Sequence, residues 1–262
     1  MAHSEVVRAF DQISTVYDAT RDPLDSGTLD ALTARLKERG VHRLLEVGVG
    51  TGRVSAPLLA RGFEMTGVDA SGRMLAYART KRLPRLVRGD AYHLPFRDRA
   101  FDTALFVHVL HLLDDPPAAL TEAQRVGAKG AVALVHPPRD PSADEAEFAT
   151  DPRRIVYRYL ATEGYPVPES GMGPRIRERK LLAQLPPDEL VILSDREVTE
   201  PLAKRIDMLE LRGSRHTLHV PPEVLRRAAT MARAEVGDRT VTYREVEALA
   251  TWAQSVPAGT VP

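Results

Sequence analysis

The residues of this chain that could do chemistry fall at three points. Glycines 48, 50 and 52 follow directly on Leu44-Leu45-Glu46-Val47; Asp69 closes the apolar stretch Phe63–Val68, 21 residues after Gly48; and Asp90 closes Leu86-Val87-Arg88-Gly89. Glycine lets a backbone approach a ligand where any Cβ would clash. A carboxylate about twenty residues further on, at the end of the next strand, can accept both hydroxyls of a ribose. Taken alone, Gly-x-Gly serves equally as a tight turn. Asp69 taken alone is equally a helix cap, a position that Ser71 already offers. Glycines, Asp69 and Asp90 at successive strand ends together point to an adenosine-containing ligand.

The spacing narrows the choice. A dinucleotide fingerprint, G-x-G-x-x-G, needs a third glycine where this chain has Arg53. Glu46, just ahead of the loop, would repel a pyrophosphate but suits a ligand with a cationic amino-acid end. S-adenosylmethionine (SAM) has such an end, and a sulfonium as well.

The elements that must hold these residues alternate. Short apolar runs at 43–47, 63–68, 86–90, 103–109 and 131–135 read as buried strands. Helical patterns separate most of them, at 28–39, 53–61, 72–80 and from Pro116 to about Val126, with proline in the first turn of the last. This rhythm specifies a parallel sheet covered by helices on both faces. From 137 to 190 the chain is broken by proline, with helical patterns at 152–163 and 174–185, and is read as an inserted cap. Strand character returns at 189–199, helices follow at 201–212 and 222–236, and Thr240-Val241-Thr242-Tyr243 starts a last strand. Its continuation, Val246, Leu249, Ala250 and Ala253, also fits helical spacing. The expected fold is α/β: a doubly wound, mostly parallel, seven-stranded Rossmann-like sheet with an antiparallel edge strand and a helical cap insertion. The expected parts are 1–136 for the cofactor, 137–188 for the cap, and 189–262 completing the sheet domain.

These pieces together resemble the class I SAM-dependent methyltransferases, in particular the small-molecule group that includes quinone-biosynthesis enzymes. The likeness rests on Leu44 to Gly52, Gly67-Val68-Asp69-Ala70-Ser71 with Met74, Arg88-Gly89-Asp90-Ala91 with Leu94-Pro95-Phe96, Phe101-Asp102 to His111, and the leading segment Phe10 to Asp18. It covers about residues 10 to 136. One departure is Gly127-Ala128-Lys129-Gly130 in place of Pro-Gly-Gly. The resemblance implies that Glu46, Gly48 and Gly50 line the methionine portion, with Gly52 also counted among the cofactor-binding residues, that Asp69 holds the ribose, and that Ala70 and Met74 pack on the adenine. It implies Asp90 and Ala91 at the adenine edge, Val107 or His108 closing the site, and Tyr17 and Arg21 over the cofactor carboxylate.

Methyl transfer from a sulfonium is an in-line displacement that needs positioning and exclusion of water, and a base only where the acceptor must lose a proton. His108, His111 and His136 are the candidates for that base, and His136, just beyond the fifth strand, is the one expected to face the acceptor; for each of them a packed structural histidine is the stronger reading. Aromatic residues of 137–190, among them Phe148, Tyr157, Tyr159 and Tyr165, together with Met172, would either roof a small-molecule pocket or form the cap's own core. Arg175, Arg177, Arg179 and Lys180, with Glu178 among them, read as a solvated helix face.

Several classes are excluded. The chain of 262 residues has no cysteine, so disulfides, thiolate metal sites and cysteine nucleophiles are absent. Lys+Arg and Asp+Glu are 36 each, a balance that gives no pull toward nucleic acid or anionic lipid. The Asn/Asp-Pro-Pro-aromatic motif of amino-methyltransferases is missing after the fourth strand. The paired Asp and Asn ligands of magnesium-dependent catechol enzymes are not at matching positions, so no metal is expected. The reading is therefore a cytoplasmic SAM-dependent enzyme that methylates a small organic acceptor, with no nucleic-acid partner, no membrane insertion, and homodimerisation left open. A SAM-binding sensor or assembly protein without transfer activity is the first alternative; an RNA or protein methyltransferase follows, then a nicotinamide dehydrogenase.

Overall fold

In the computed structural model the residues described are 3–138, 140, 151–167, 174–211 and 215–253. The elements in chain order are α1 His3–Ile13, α2 Ser26–Glu38, β1 Arg43–Val47, α3 Ser55–Ala60, β2 Glu64–Asp69, α4 Gly72–Thr80, β3 Leu86–Arg88, β4 Thr103–Val107, α5 Pro116–Val126, β5 Ala131–Val135, α6 Arg153–Thr162, α7 Pro174–Gln184, β6 Glu189–Pro201, α8 Leu202–Glu210, α9 Pro222–Val236 and β7 Thr240–Trp252. Short 3₁₀ turns sit at Asp18–Thr20, Leu110–Leu112 and Arg215–Thr217.

Local chemistry sets the helix starts. Asp25, Ser71 and Asp115 each accept a hydrogen bond from the backbone N–H three residues on, satisfying one of the unpaired donors of the first turn. Leu29, Leu32 and Leu36 of α2 are buried on one stripe, as their spacing predicts.

The seven strands lie in the order β3-β2-β1-β4-β5-β7-β6. β1 to β5 are parallel, while β7 runs antiparallel to both β5 and the outermost strand β6. The antiparallel pairing expected at the edge is therefore made by β7, slotted inside β6. Beyond Tyr243 the ambiguous segment stays extended to Trp252, because two neighbouring strands take up its backbone groups.

Alternate residues of each strand feed two cores. Leu45, Ala104, Phe106 and Ala133 pack beneath α5 and the Leu181–Leu182 stretch of α7. Leu44, Leu105, Val132 and Leu249 pack against α2, α3 and α4 through Leu32, Leu58 and Leu75. A third cluster joins α6 to α8 and α9, with Val156, Leu160, Ile206 and Leu225 at its centre and Tyr157, Tyr159 and Tyr165 against it. The proline-broken segment thus divides: α6 joins helices that follow β6, whereas α7 returns to the sheet. Phe148 and Met172 lie outside the described residues. No helix among the described residues is long and apolar enough to cross a membrane.

Leu160 is wholly buried in the third cluster. Leu160→Ala should lower stability by about 2–5 kcal/mol, read as a lower urea midpoint.

Candidate active site

The strand order reverses between β1 and β4, and a crevice opens at such a switch point beyond the carboxyl ends of the strands. A cleft of about 1050 Å³, counting its open mouth, lies there. Its floor is the loop after β1. Gly48 and Gly50 hold positive φ angles of 74° and 55°, and a Cβ on Gly50 would point into open space. The backbone therefore presents itself bare to the cleft.

Two carboxylates face this space. Asp69, at the end of β2, accepts the Gly50 N–H on one oxygen and the Ser71 N–H on the other, both at 2.8 Å. Burial raises its carboxyl above the usual range, against the pull of those two donors. Glu46 on β1 is 2% exposed and accepts the Ser55 hydroxyl. Burial pushes it up to about 7, with the Asp69 charge adding to the rise and Ser55 and Arg53 opposing it. An unpaired carboxylate in so dry a place is unfavourable until a cation arrives.

The N-terminal segment closes one side. Val6, Val7 and Phe10 of α1, with Tyr17, line the cleft. They are fastened there because the Ser71 hydroxyl donates to Asp11 at 2.5 Å, while Asp18 accepts the Thr51 hydroxyl at 2.5 Å and pairs with Lys81 at 2.6 Å. Val109, Leu112 and Leu113 line it after β4.

Of the expected cofactor residues, Tyr17, Glu46, Gly48, Gly50, Asp69, Ala70, Met74, Ala91, Val107 and His108 line this cleft. Arg21, Gly52 and Asp90 do not. The Arg21 guanidinium lies 5.2 Å from the Tyr17 ring centre and donates to the Thr20 carbonyl. A Cβ on Gly52 would overlap Leu83, so this glycine serves packing beside the loop. The Asp90 carboxylate accepts the Tyr92 N–H and braces its own turn. Val6, Val7 and Phe10 of α1 line the cleft, and no described residue of 137–188 does; much of the expected roof, 141–150 and 168–173, lies outside the described residues.

The three histidines converge, but on a group that the sequence reading left in a solvated face. Glu178 of α7 is buried, with 1% of its side chain exposed; it lies 3.2 Å from His108 Nδ1, 3.0 Å from His111 Nδ1 and 2.6 Å from His136 Nδ1. Glu247 of β7 faces His108 and His136 from the other side. Burial would lower the His108 imidazole, but the charges of Glu247 and Glu178 outweigh it and hold it up to about 10. Burial would likewise raise Glu178, yet His108 and the hydrogen bonds of the three rings hold it well below the usual carboxylate range. His111 is shifted down, mainly by burial. Only His108 among the three reaches the cleft. Its φ of +50° is left-handed, a strain of about 1–3 kcal/mol for a non-glycine residue, and turns the ring back toward the two glutamates. No pattern at Glu178 or Glu247 marks either residue in the sequence.

Comparison with known proteins follows the same outline. Residues 45–135 match a family described as a methyltransferase domain. A demethylmenaquinone methyltransferase of Tropheryma whipplei is 33% identical over 171 residues, which cover 60% of this chain and 67% of that protein. The chain belongs to the SAM-dependent methyltransferases. A demethylmenaquinone methyltransferase of Beutenbergia cavernae is 35% identical over 158 residues, 56% of this chain and 60% of the relative. A phosphatidylethanolamine N-methyltransferase of Cereibacter sphaeroides is 34% identical over 127 residues, 46% of this chain and 62% of the relative. The chain thus spans about six-tenths of the length of these two relatives. The YcgJ protein of Bacillus subtilis has the same fold, with a TM-score of 0.55 at 19% identity over 87% of this chain and 99% of that one.

The Glu46 carboxyl yields a pH prediction. If its ionised form holds the ligand's cation, SAM affinity should rise roughly eightfold from about pH 6 to about pH 7.5, as the group ionises around 7; titration calorimetry reads this. The stability effect has the opposite sign. A folded-state value above the free value of 4.5 means that the folded chain binds the extra proton, so stability falls between about pH 4.5 and 7. Glu46→Gln should therefore raise the melting temperature at pH 8 while weakening SAM binding.

Proposed function

We propose that this chain transfers a methyl group from SAM to a small organic acceptor by in-line displacement. The bond from sulfur to the methyl carbon breaks as the acceptor's bond forms, and S-adenosylhomocysteine (SAH) leaves. The observation that carries this reading is the open glycine-floored cleft flanked by Asp69 and the buried, cation-seeking Glu46. In this reading Asp69 takes the ribose hydroxyls, Glu46 draws the ligand's ammonium end, Ala70 and Met74 pack on the adenine, and Ala91 lies at its edge. Tyr17 and α1 cover the bound cofactor and exclude water.

The acceptor side of the cleft is apolar, with Val109, Leu112 and Leu113 beside His108. That lining suits a flat, weakly polar ring, and a quinol-type acceptor is our proposal. Its further support is the recurrence of demethylmenaquinone methyltransferases among the relatives. A malonyl-[acyl-carrier protein] O-methyltransferase of Halorhodospira halophila matches over a similar stretch, 136 residues at 37% identity, so the shared region carries the cofactor half more than the acceptor half. His108 is the histidine proposed to meet the acceptor. Its ring is positioned by Glu178 on α7, the contribution of the proline-broken segment to acceptor placement.

Thermal shift tests the cofactor. SAM and SAH should each raise the melting temperature by several degrees near 100 times their dissociation constant, worth about 2.7 kcal/mol, and NAD should not. Asp69→Ala should abolish both shifts with its own melting temperature measured alongside. Stabilisation by NAD and not by SAM would overturn the reading. Incubation with methyl-labelled SAM and a metabolite extract should then give a labelled product; a shift with no product would mark a SAM-binding protein without transfer activity.

A further inference from the structure

The histidine cluster is built more like a coordination site than an ion-pair network. His108 and His136 stand side by side, ring centres 4.7 Å apart. Each turns Nδ1 to a different oxygen of the same carboxylate, Glu178 Oε1 and Oε2. This leaves both Nε2 atoms directed at the two oxygens of Glu247, at 3.4 Å for His108 and 3.6 Å for His136. Those separations are long for a charged hydrogen bond, which closes to about 2.7–2.9 Å. They are close to the spacing of two donor atoms on one metal ion. Ligands about 2.1 Å from a common ion lie about 3–3.5 Å apart.

Two further observations point the same way. Glu247 Oε2 is buried and makes no hydrogen bond with the described residues, in a residue only 7% exposed. One donor atom from each of His108, His136 and Glu247 lies within 4.8 Å of those of the other two. Metal-bound imidazoles commonly donate their remaining N–H to a carboxylate that fixes the ring, and Glu178 is placed to do so for both rings at once.

We propose that His108 Nε2, His136 Nε2 and the Glu247 carboxylate bind a divalent transition-metal ion, with Glu178 orienting both rings from behind. Two imidazole nitrogens and one carboxylate select zinc or iron(II) over magnesium or calcium, which prefer oxygen. The expectation of no metal rested on the absence of Asp and Asn ligands; this donor set is a different one, and one of its members comes from the distant strand β7. Of the three ligands His108 lines the cleft and His136 and Glu247 do not, so the ion would adjoin the acceptor space through the His108 ring. That placement, unlike metal binding itself, rests on the methyl-transfer reading.

The test uses the full chain, stripped with chelator and then titrated with Zn²⁺, Co²⁺, Fe²⁺ under anaerobic conditions, or Mg²⁺. One Zn²⁺ or Co²⁺ per chain is expected, with visible cobalt d–d bands indicating imidazole coordination, and no Mg²⁺ uptake. Glu247→Gln and His136→Ala should each weaken Zn²⁺ at least roughly 100-fold, and Glu178→Gln about 10–100-fold. The SAH thermal shift should persist in all three and serves as the check that they fold. Failure of the unaltered chain to bind one ion, or binding that ignores Glu247 and His136, would overturn the proposal. The unaltered chain decides the case should a variant fail to fold. Loss of SAH binding with metal binding intact would instead strike the function proposed above.

Discussion

A parallel sheet sends the carboxyl ends of its strands to one edge, and that constraint organises this protein. β1, β2 and β4 end beside one another at the point where strand order reverses. The glycine loop, Asp69 and His108 therefore meet although they are widely separated in sequence. Hydrophobic packing on both sheet faces fixes the strands, and the edge is left to carry polar groups that no core would accept.

Charge at this edge is placed where water is scarce. Glu46 has Ser55 as its hydrogen-bond donor, and burial drives its carboxyl toward neutrality. A cationic ligand would supply the missing partner, so the same burial that costs stability in the free chain favours binding. On the other side of the cleft the balance is reversed. Glu178 is as deeply buried, yet three imidazoles lie against it and keep it ionised. The left-handed turn at His108 is held by these contacts, in keeping with strain that persists where surrounding structure over-determines it.

Much of the fold was legible because its signals are local. Ser71 and Asp115 cap the helices that their positions announce, Leu29, Leu32 and Leu36 make the buried stripe, and α4 and α9 begin and end as read. The end of β7 was ambiguous since its apolar residues fit either period, and only pairing with β5 and β6 decides it. Arg21 and Asp90 lie close in sequence to cleft residues but outside the cleft lining, and each finds a partner in its own turn.

The sequence alone determined the parallel α/β rhythm, the glycine loop, and the Glu46 and Asp69 carboxylates that suit a SAM-like ligand. These follow from spacing along one strand-loop-helix unit and need no distant partner. Tertiary structure alone decided that Val6 and Val7 of α1 line the cleft, that α6 packs with helices beyond β6, and that Glu178 turns inward from a run of basic residues. It also brought Glu247 of β7 opposite His108 and His136. Such contacts arise from how helices and strands stack in space, and a side chain's facing across a hundred residues leaves no periodic trace in the chain.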